Sequence, residues 1–169
     1  NQIQREASRP LVLAMKITDI LTQKMTQCDL PGSSKKRVLE NLSAFVTDQL
    51  GGNTEQSDTL FHNLVARERL GSTGIGEGVA IPHCRVSGFN RIHGCLIKLE
   101  KPVDFGALDD QPVDLIFALI VPEEQNDEHL ATLARIASIM QNDQSRQSLR
   151  QCKNNEELFN TALQLERLN

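Results

Sequence analysis

Four of the ten glycines, at positions 71, 74, 76 and 78, crowd the stretch that leads into Pro82-His83. Glycine-rich turns expose backbone N–H groups and let a phosphate approach closely. Arg67 precedes these glycines, and Ser72, Thr73 and Gly74 lie among them. A guanidinium is suited to bidentate contact with a phosphoryl group. Pro82 fixes its own φ and biases Ile81 towards extended backbone, so the chain entering His83 is stiff. A neutral imidazole is a nucleophile available near pH 7. A rigid His beside an Arg and amide-rich turns has the makings of a phosphoryl-accepting site. Spacing alone leaves a plainer reading open, a Gly-rich turn whose His only hydrogen-bonds the backbone.

Nucleotide-binding motifs fit poorly. Gly71 to Gly76 has the P-loop spacing, but Glu77 stands where the Lys is required. A dinucleotide fingerprint starting at Gly74 would need a small residue at Val79, and here a helical pattern precedes the glycines and a strand follows. Ser72 has no G-x-S-x-G context, so a hydrolase elbow is unsupported. Cys84, His93 and Cys95 fit no standard zinc spacing and read as buried strand residues. No metal or cofactor is expected.

Several function classes are excluded by composition. The chain has 169 residues and a net charge of −4, with a pI of about 5.6. General nucleic-acid binding needs a basic surface. Trp and Tyr are absent, so there is no aromatic platform for stacking bases. The longest apolar run, Leu115 to Val121, is far short of the roughly 20 residues a membrane span needs. Cys28, Cys84, Cys95 and Cys152 are irregularly spaced, which fits a reducing, cytosolic setting better than a disulfide scaffold. Residues 1–14 read as a cloning remnant or a dispensable N-terminal extension, with Met15 as the expected native start.

The elements that must hold His83 are visible in the apolar spacing. Residues 34–51 read as a helix capped by Ser34 and stopped by Gly51-Gly52, and 57–70 as a second helix ended by Gly71. Arg67 and Arg69 suit its last turn. A short strand is expected at 79–81, another at 92–100, and a strand buried on both faces at 113–121. Residues 127–140 read as a helix with Leu130, Leu133, Ala134, Ala137 and Met140 as its apolar stripe. Helices at 143–151 and 155–166 complete the chain. Interleaved helices and strands with one doubly buried strand predict an α/β sandwich with helices on both faces of the sheet. The acids of residues 100–128 lie mostly in expected loops and read as a solvated surface.

The segment Arg67-Glu68-Arg69-Leu70-Gly71-Ser72-Thr73-Gly74-Ile75-Gly76-Glu77-Gly78-Val79-Ala80-Ile81-Pro82-His83-Cys84 resembles the active-site signature of phosphotransferase-system EIIA domains of the mannitol/fructose class, most of all the nitrogen-regulatory EIIA proteins. Gln111 to Pro122 and His129-Leu130 also look like that family. The resemblance spans about residues 15–166. It implies a single EIIA-type domain over 15–169 with a mixed central sheet and helices on both faces, a three-layer sandwich. It further implies phosphoryl transfer from an HPr-like phosphohistidine carrier to Nε2 of His83. Position by position, His83 matches the phosphorylated His, Arg67 the active-site Arg and His129 the second active-site His. Ser72, Thr73 and Gly74 are expected to support the phosphate. Cys84 stands where the family usually has Gly. Two roles follow from the resemblance: a cytoplasmic regulatory phosphocarrier acting on partners such as a potassium transporter or a sensor kinase, or a sugar-specific EIIA that hands the group to an EIIB domain. Since no EIIB or membrane segment is fused here, the regulatory role is the expectation.

Overall fold

The computed structural model describes residues 15–124 and 128–169. The extension read at 1–14 lies outside the described residues. In chain order the elements are α1 (Ile17–Ile20), β1 (Thr26–Leu30), α2 (Lys35–Gln49), α3 (Thr54–Arg69), β2 (Gly74–Gly76), β3 (Val79–Ala80), β4 (His83–Val86), β5 (His93–Val103), β6 (Val113–Pro122), α4 (Glu128–Met140), α5 (Asp143–Arg150) and α6 (Asn155–Leu168).

Six strands form one mixed sheet in the order β1-β5-β6-β3-β2, with β4 also paired to β6. β5 runs antiparallel to β6, while β1 is parallel to β5. On the other side of β6 two short strands lie end to end, both parallel to it. Val79 and Ala80 pair with Leu115 and Ile116, and His83 then pairs with Leu119. Every residue of β6 except Asp114 is buried, as a central strand covered on both faces requires. The helices pack on this sheet as the interleaved pattern predicts.

α2 is capped by the Ser34 hydroxyl, which accepts from the Arg37 N–H, and buries Val38, Leu39, Leu42 and Val46. α3 begins three residues earlier than its apolar spacing indicates. Asn53 and Gln56 form a reciprocal capping box there, so two orphan N–H groups of the first turn are satisfied before the apolar stripe starts. α4 turns a different face inwards from the one its leucines suggest. His129, Thr132, Ile136, Ile139 and Met140 are buried, Leu133 and Ala137 partly so, while Leu130 is 55% exposed and Ala134 is exposed.

Three strands escape the sequence pattern. β1 carries Thr26, Gln27, Cys28 and Asp29, with a register shift between Cys28 and Leu30. β2 is Gly-Ile-Gly, which has no strand propensity of its own. β4 follows directly on the break that Ile81-Pro82 makes in the path along β6.

Gly94 of β5 underlies the Phe117 ring of β6. A Cβ there would meet the ring edge at 2.9 Å and Ile20 at 3.4 Å. Phe117 is 1% exposed and cannot retreat outwards. Gly94→Ala is therefore expected to destabilise the fold by about 1–3 kcal/mol, the usual cost of overpacking. The urea unfolding midpoint checks this, and an unchanged midpoint would contradict the packing described.

Candidate functional site

His83 is the first residue of β4 and is half-buried. Its Nδ1 lies 2.9 Å from the Ile81 carbonyl oxygen. A carbonyl can only accept, so Nδ1 carries the proton and donates. In the neutral ring this leaves the lone pair on Nε2. Arg67 comes from the last turn of α3, and its Nε donates to that Nε2 at 3.3 Å. The same guanidinium donates from Nη1 to the Gly71 carbonyl at 2.9 Å. Two independent hydrogen bonds thus assign one tautomer and leave Nε2 facing a cation.

His83 lines a cleft of about 460 Å³ together with Asn63, Arg67, Leu70, Arg85, Val121 and His129. His129, the second residue of α4, is only 8% exposed. The structure therefore brings together His83, Arg67 and His129, which are 62 residues apart at the extremes, at one cleft. A second cleft of about 310 Å³ lies on the other flank of His83 and Arg67, walled by Ile75, Ile81, Leu133 and Ala137. Burial holds the His83 pKa below the ordinary imidazole value. The Arg67 and His129 charges push it the same way, against the opposing effects of the Ile81 hydrogen bond and the Glu68 carboxylate. At neutral pH the ring is neutral, and its Nε2 lone pair accepts from Arg67.

Of the residues expected to support a phosphate, Ser72 and Thr73 line this second cleft together with His83 and Arg67, and Gly74 follows them in the chain. The Ser72 hydroxyl donates to the Phe105 carbonyl at 2.6 Å and accepts from the Gly74 N–H at 3.0 Å. Thr73 is buried, and both its N–H and its hydroxyl donate to the Glu68 carboxylate. Gly74 lies in the β2–β3 hairpin opposite Ala80. The hydroxyls and the Gly74 amide thus have partners within the protein, and what these residues demonstrably do is shape the loop. Cys84 is buried in extended strand and is not among the positive-φ residues, so its Cβ is accommodated. Burial pushes its thiol up to about 12 and raises that of Cys95 as well. Among the described residues, no group of three His, Cys, Asp or Glu side chains is arranged to hold a metal. Likewise, no helix there is long and apolar enough to cross a membrane.

Asn63 and Arg85 also line the cleft, and motif spacing did not single out Asn63. Its Nδ2 donates to the Arg85 carbonyl at 3.0 Å and ties α3 to β4. The available signal was its position four residues before Arg67, which places both on one helix face.

Residues 19–164 match the family model of the phosphoenolpyruvate-dependent sugar phosphotransferase system, EIIA 2. The chain belongs to this family. It is 43% identical over 152 residues to a nitrogen regulatory protein of Pseudomonas aeruginosa, a match covering 90% of this chain and 97% of that protein. The crystal structure of nitrogen regulatory protein IIA-Ntr from Neisseria meningitidis is similar at a TM-score of 0.77 and 38% identity, over 86% of this chain and 98% of that one. IIA mannitol from Escherichia coli shares the fold at a TM-score of 0.67, with 17% identity over 83% of this chain and 97% of that one. This EIIA chain is thus a homologue of the IIA-Ntr proteins and a component of the phosphotransferase system, for which the family implies a phosphocarrier role.

NMR titration of the His83 ring in this EIIA chain should give an apparent pKa below the ordinary imidazole value, and Arg67→Ala should raise it. The stability that depends on neutral His83 is present above about pH 6.5, the ordinary value. It is lost as the pH falls through the lowered one, because the unfolded chain binds the proton first. His93, also depressed by burial and by Arg91 and Lys24, adds in the same sense. A His83 curve at or above the ordinary value would contradict the geometry.

Proposed function

We propose that this EIIA chain accepts a phosphoryl group on Nε2 of His83 from the phosphohistidine of an HPr-like carrier, and that its partners read whether His83 is phosphorylated. The reading is carried by one observation: Nδ1 is held by the Ile81 carbonyl while Nε2 faces Arg67. A bond forms between Nε2 and phosphorus as the donor's N–P bond breaks, and that electron pair returns to the donor imidazole. Nδ1 keeps its proton, and the Ile81 carbonyl stabilises the positive charge that the attack places on the ring. Arg67 shifts its N–H donation from the lone pair to the equatorial oxygens, where charge stabilisation matters most. His129 reaches the same oxygens from α4. Leu70, which lines the cleft and is 85% exposed, supplies apolar surface for a docking carrier.

A phosphoryl group adds about two negative charges at neutral pH. Placed in a cleft that Arg67 and Arg85 line, it changes the sign of the surface a partner meets. The regulatory reading is favoured over a sugar-specific relay because the Pseudomonas relative, matched along 97% of its length, carries the name nitrogen regulatory protein. The proposed setting is the cytoplasm.

With phosphoenolpyruvate and the purified upstream carriers, the wild-type chain should take up one phosphoryl equivalent, and His83→Ala none. Arg67→Ala should slow the transfer by about 10²–10³-fold, the usual cost of losing one preorganised donor, while remaining folded. Phosphohistidine 31P NMR with rapid-quench kinetics reads both. Full labelling of His83→Ala would end the assignment. Efficient onward transfer to an EIIB domain would favour the sugar relay instead.

A further inference from the structure

Behind the His83–Arg67 pair lies a carboxylate that the phosphoryl chemistry leaves unused. Glu68 follows Arg67 on α3, yet its side chain is only 6% exposed and is ion-paired to Lys35 at the start of α2. It accepts both the N–H and the hydroxyl of Thr73. From Thr73 the connection to His83 passes through the backbone of Ile81. The Thr73 carbonyl accepts from the Ile81 N–H at 3.0 Å, and the Ile81 carbonyl accepts from Nδ1 of His83. Lys35 also donates to the Phe105 carbonyl at 3.1 Å, the same oxygen that takes the Ser72 hydroxyl. Both ends of the Ser72-Thr73 turn are thereby tied to one ion pair whose carboxylate is buried.

A carboxylate that deep is costly unless it is paired and fully hydrogen-bonded. Lys35 and Thr73 meet that requirement. A neutral apolar contact would fill the same space more cheaply, so the placement of the charge calls for a reason beyond packing. The reason lies in the register of the Ile81 carbonyl. That oxygen fixes which nitrogen of His83 carries the proton, and an imidazole free to change tautomer would present N–H instead of a lone pair to the cleft.

We infer that Glu68, charge-balanced by Lys35, is a positioning residue that acts through Thr73 and Ile81 to keep His83 in the Nδ1–H tautomer with Nε2 free to attack. Glu68 does not touch the ring and takes no part in the transfer step. The kinetic consequence rests on His83 being the acceptor, but the tautomer itself does not.

Long-range 1H–15N NMR of the unphosphorylated protein reads the His83 tautomer directly. Wild-type protein should show Nδ1–H alone. Glu68→Gln keeps the volume but loses the Lys35 pair and one acceptor, and it should show a mixture. Glu68→Ala should shift further towards Nε2–H. Transfer rates from the phosphorylated carrier should fall in the same order, by about 10-fold or more for Glu68→Ala, within the roughly 10²-fold that ångström-scale misplacement can cost. Should Glu68→Ala fail to fold, Glu68→Gln supplies the reading. A folded Glu68→Gln protein with wild-type tautomer and wild-type rate overturns the inference. A shifted tautomer in a protein whose His83 is never phosphorylated upholds the positioning role and removes only the acceptor reading.

Discussion

The site depends on a single interruption of a β-strand. β3 and β4 follow one path beside β6, and Pro82 breaks it because proline has no N–H to give to the ladder. Pairing stops at Ala80 and resumes at His83, while the Pro82 carbonyl still accepts from Leu119 at 2.9 Å. Within that gap the Ile81 carbonyl turns to the ring of its second neighbour instead of to another strand. The His83 ring is therefore mounted on the sheet at both ends of the break. β6, buried throughout its second half, gives the mount its stiffness.

Arg67 serves two demands that pull apart. Near enough to stabilise charge on a phosphoryl group, it is also near enough to disfavour a proton on His83. For a nucleophile the two demands agree, because repelling the proton is what keeps the lone pair available. The chain as a whole carries −4, yet the described lining of the cleft holds Arg67 and Arg85 and no carboxylate. Net charge rules out broad affinity for polyanions. It says little about a cleft a few ångströms across, where the charges placed nearest His83, Arg67 among them, set the local field.

Much of this was legible in the residues. Helical spacing with caps located α2 and α3, the unbroken apolar run located β6, and Pro82 marked the stiff approach to His83. Nothing periodic marks β1, β2 or β4, because each is short and held by pairing with longer neighbours and not by its own propensity. The inward face of α4 was misjudged for a physical reason. Leu130 is apolar but faces out, while His129 and Thr132 face in because the fold gives them polar company: Thr132 accepts the Met15 N–H at 3.1 Å. The hydroxyls of Ser72 and Thr73 suggested phosphate contacts by type. Their partners, Phe105 and Glu68, depend on tertiary contacts that no local spacing encodes.

Cys84 stands directly beside His83, and its burial has a chemical result. A thiol held near 12 is almost wholly protonated at neutral pH, and the thiolate is the reactive form of sulfur. Electrophiles that enter the cleft meet a hard nitrogen and not a soft sulfur. Peroxide and thiol-selective alkylating agents therefore find no thiolate at Cys84. A cysteine in the position usually held by glycine thus adds volume to the core without adding a competing reactivity.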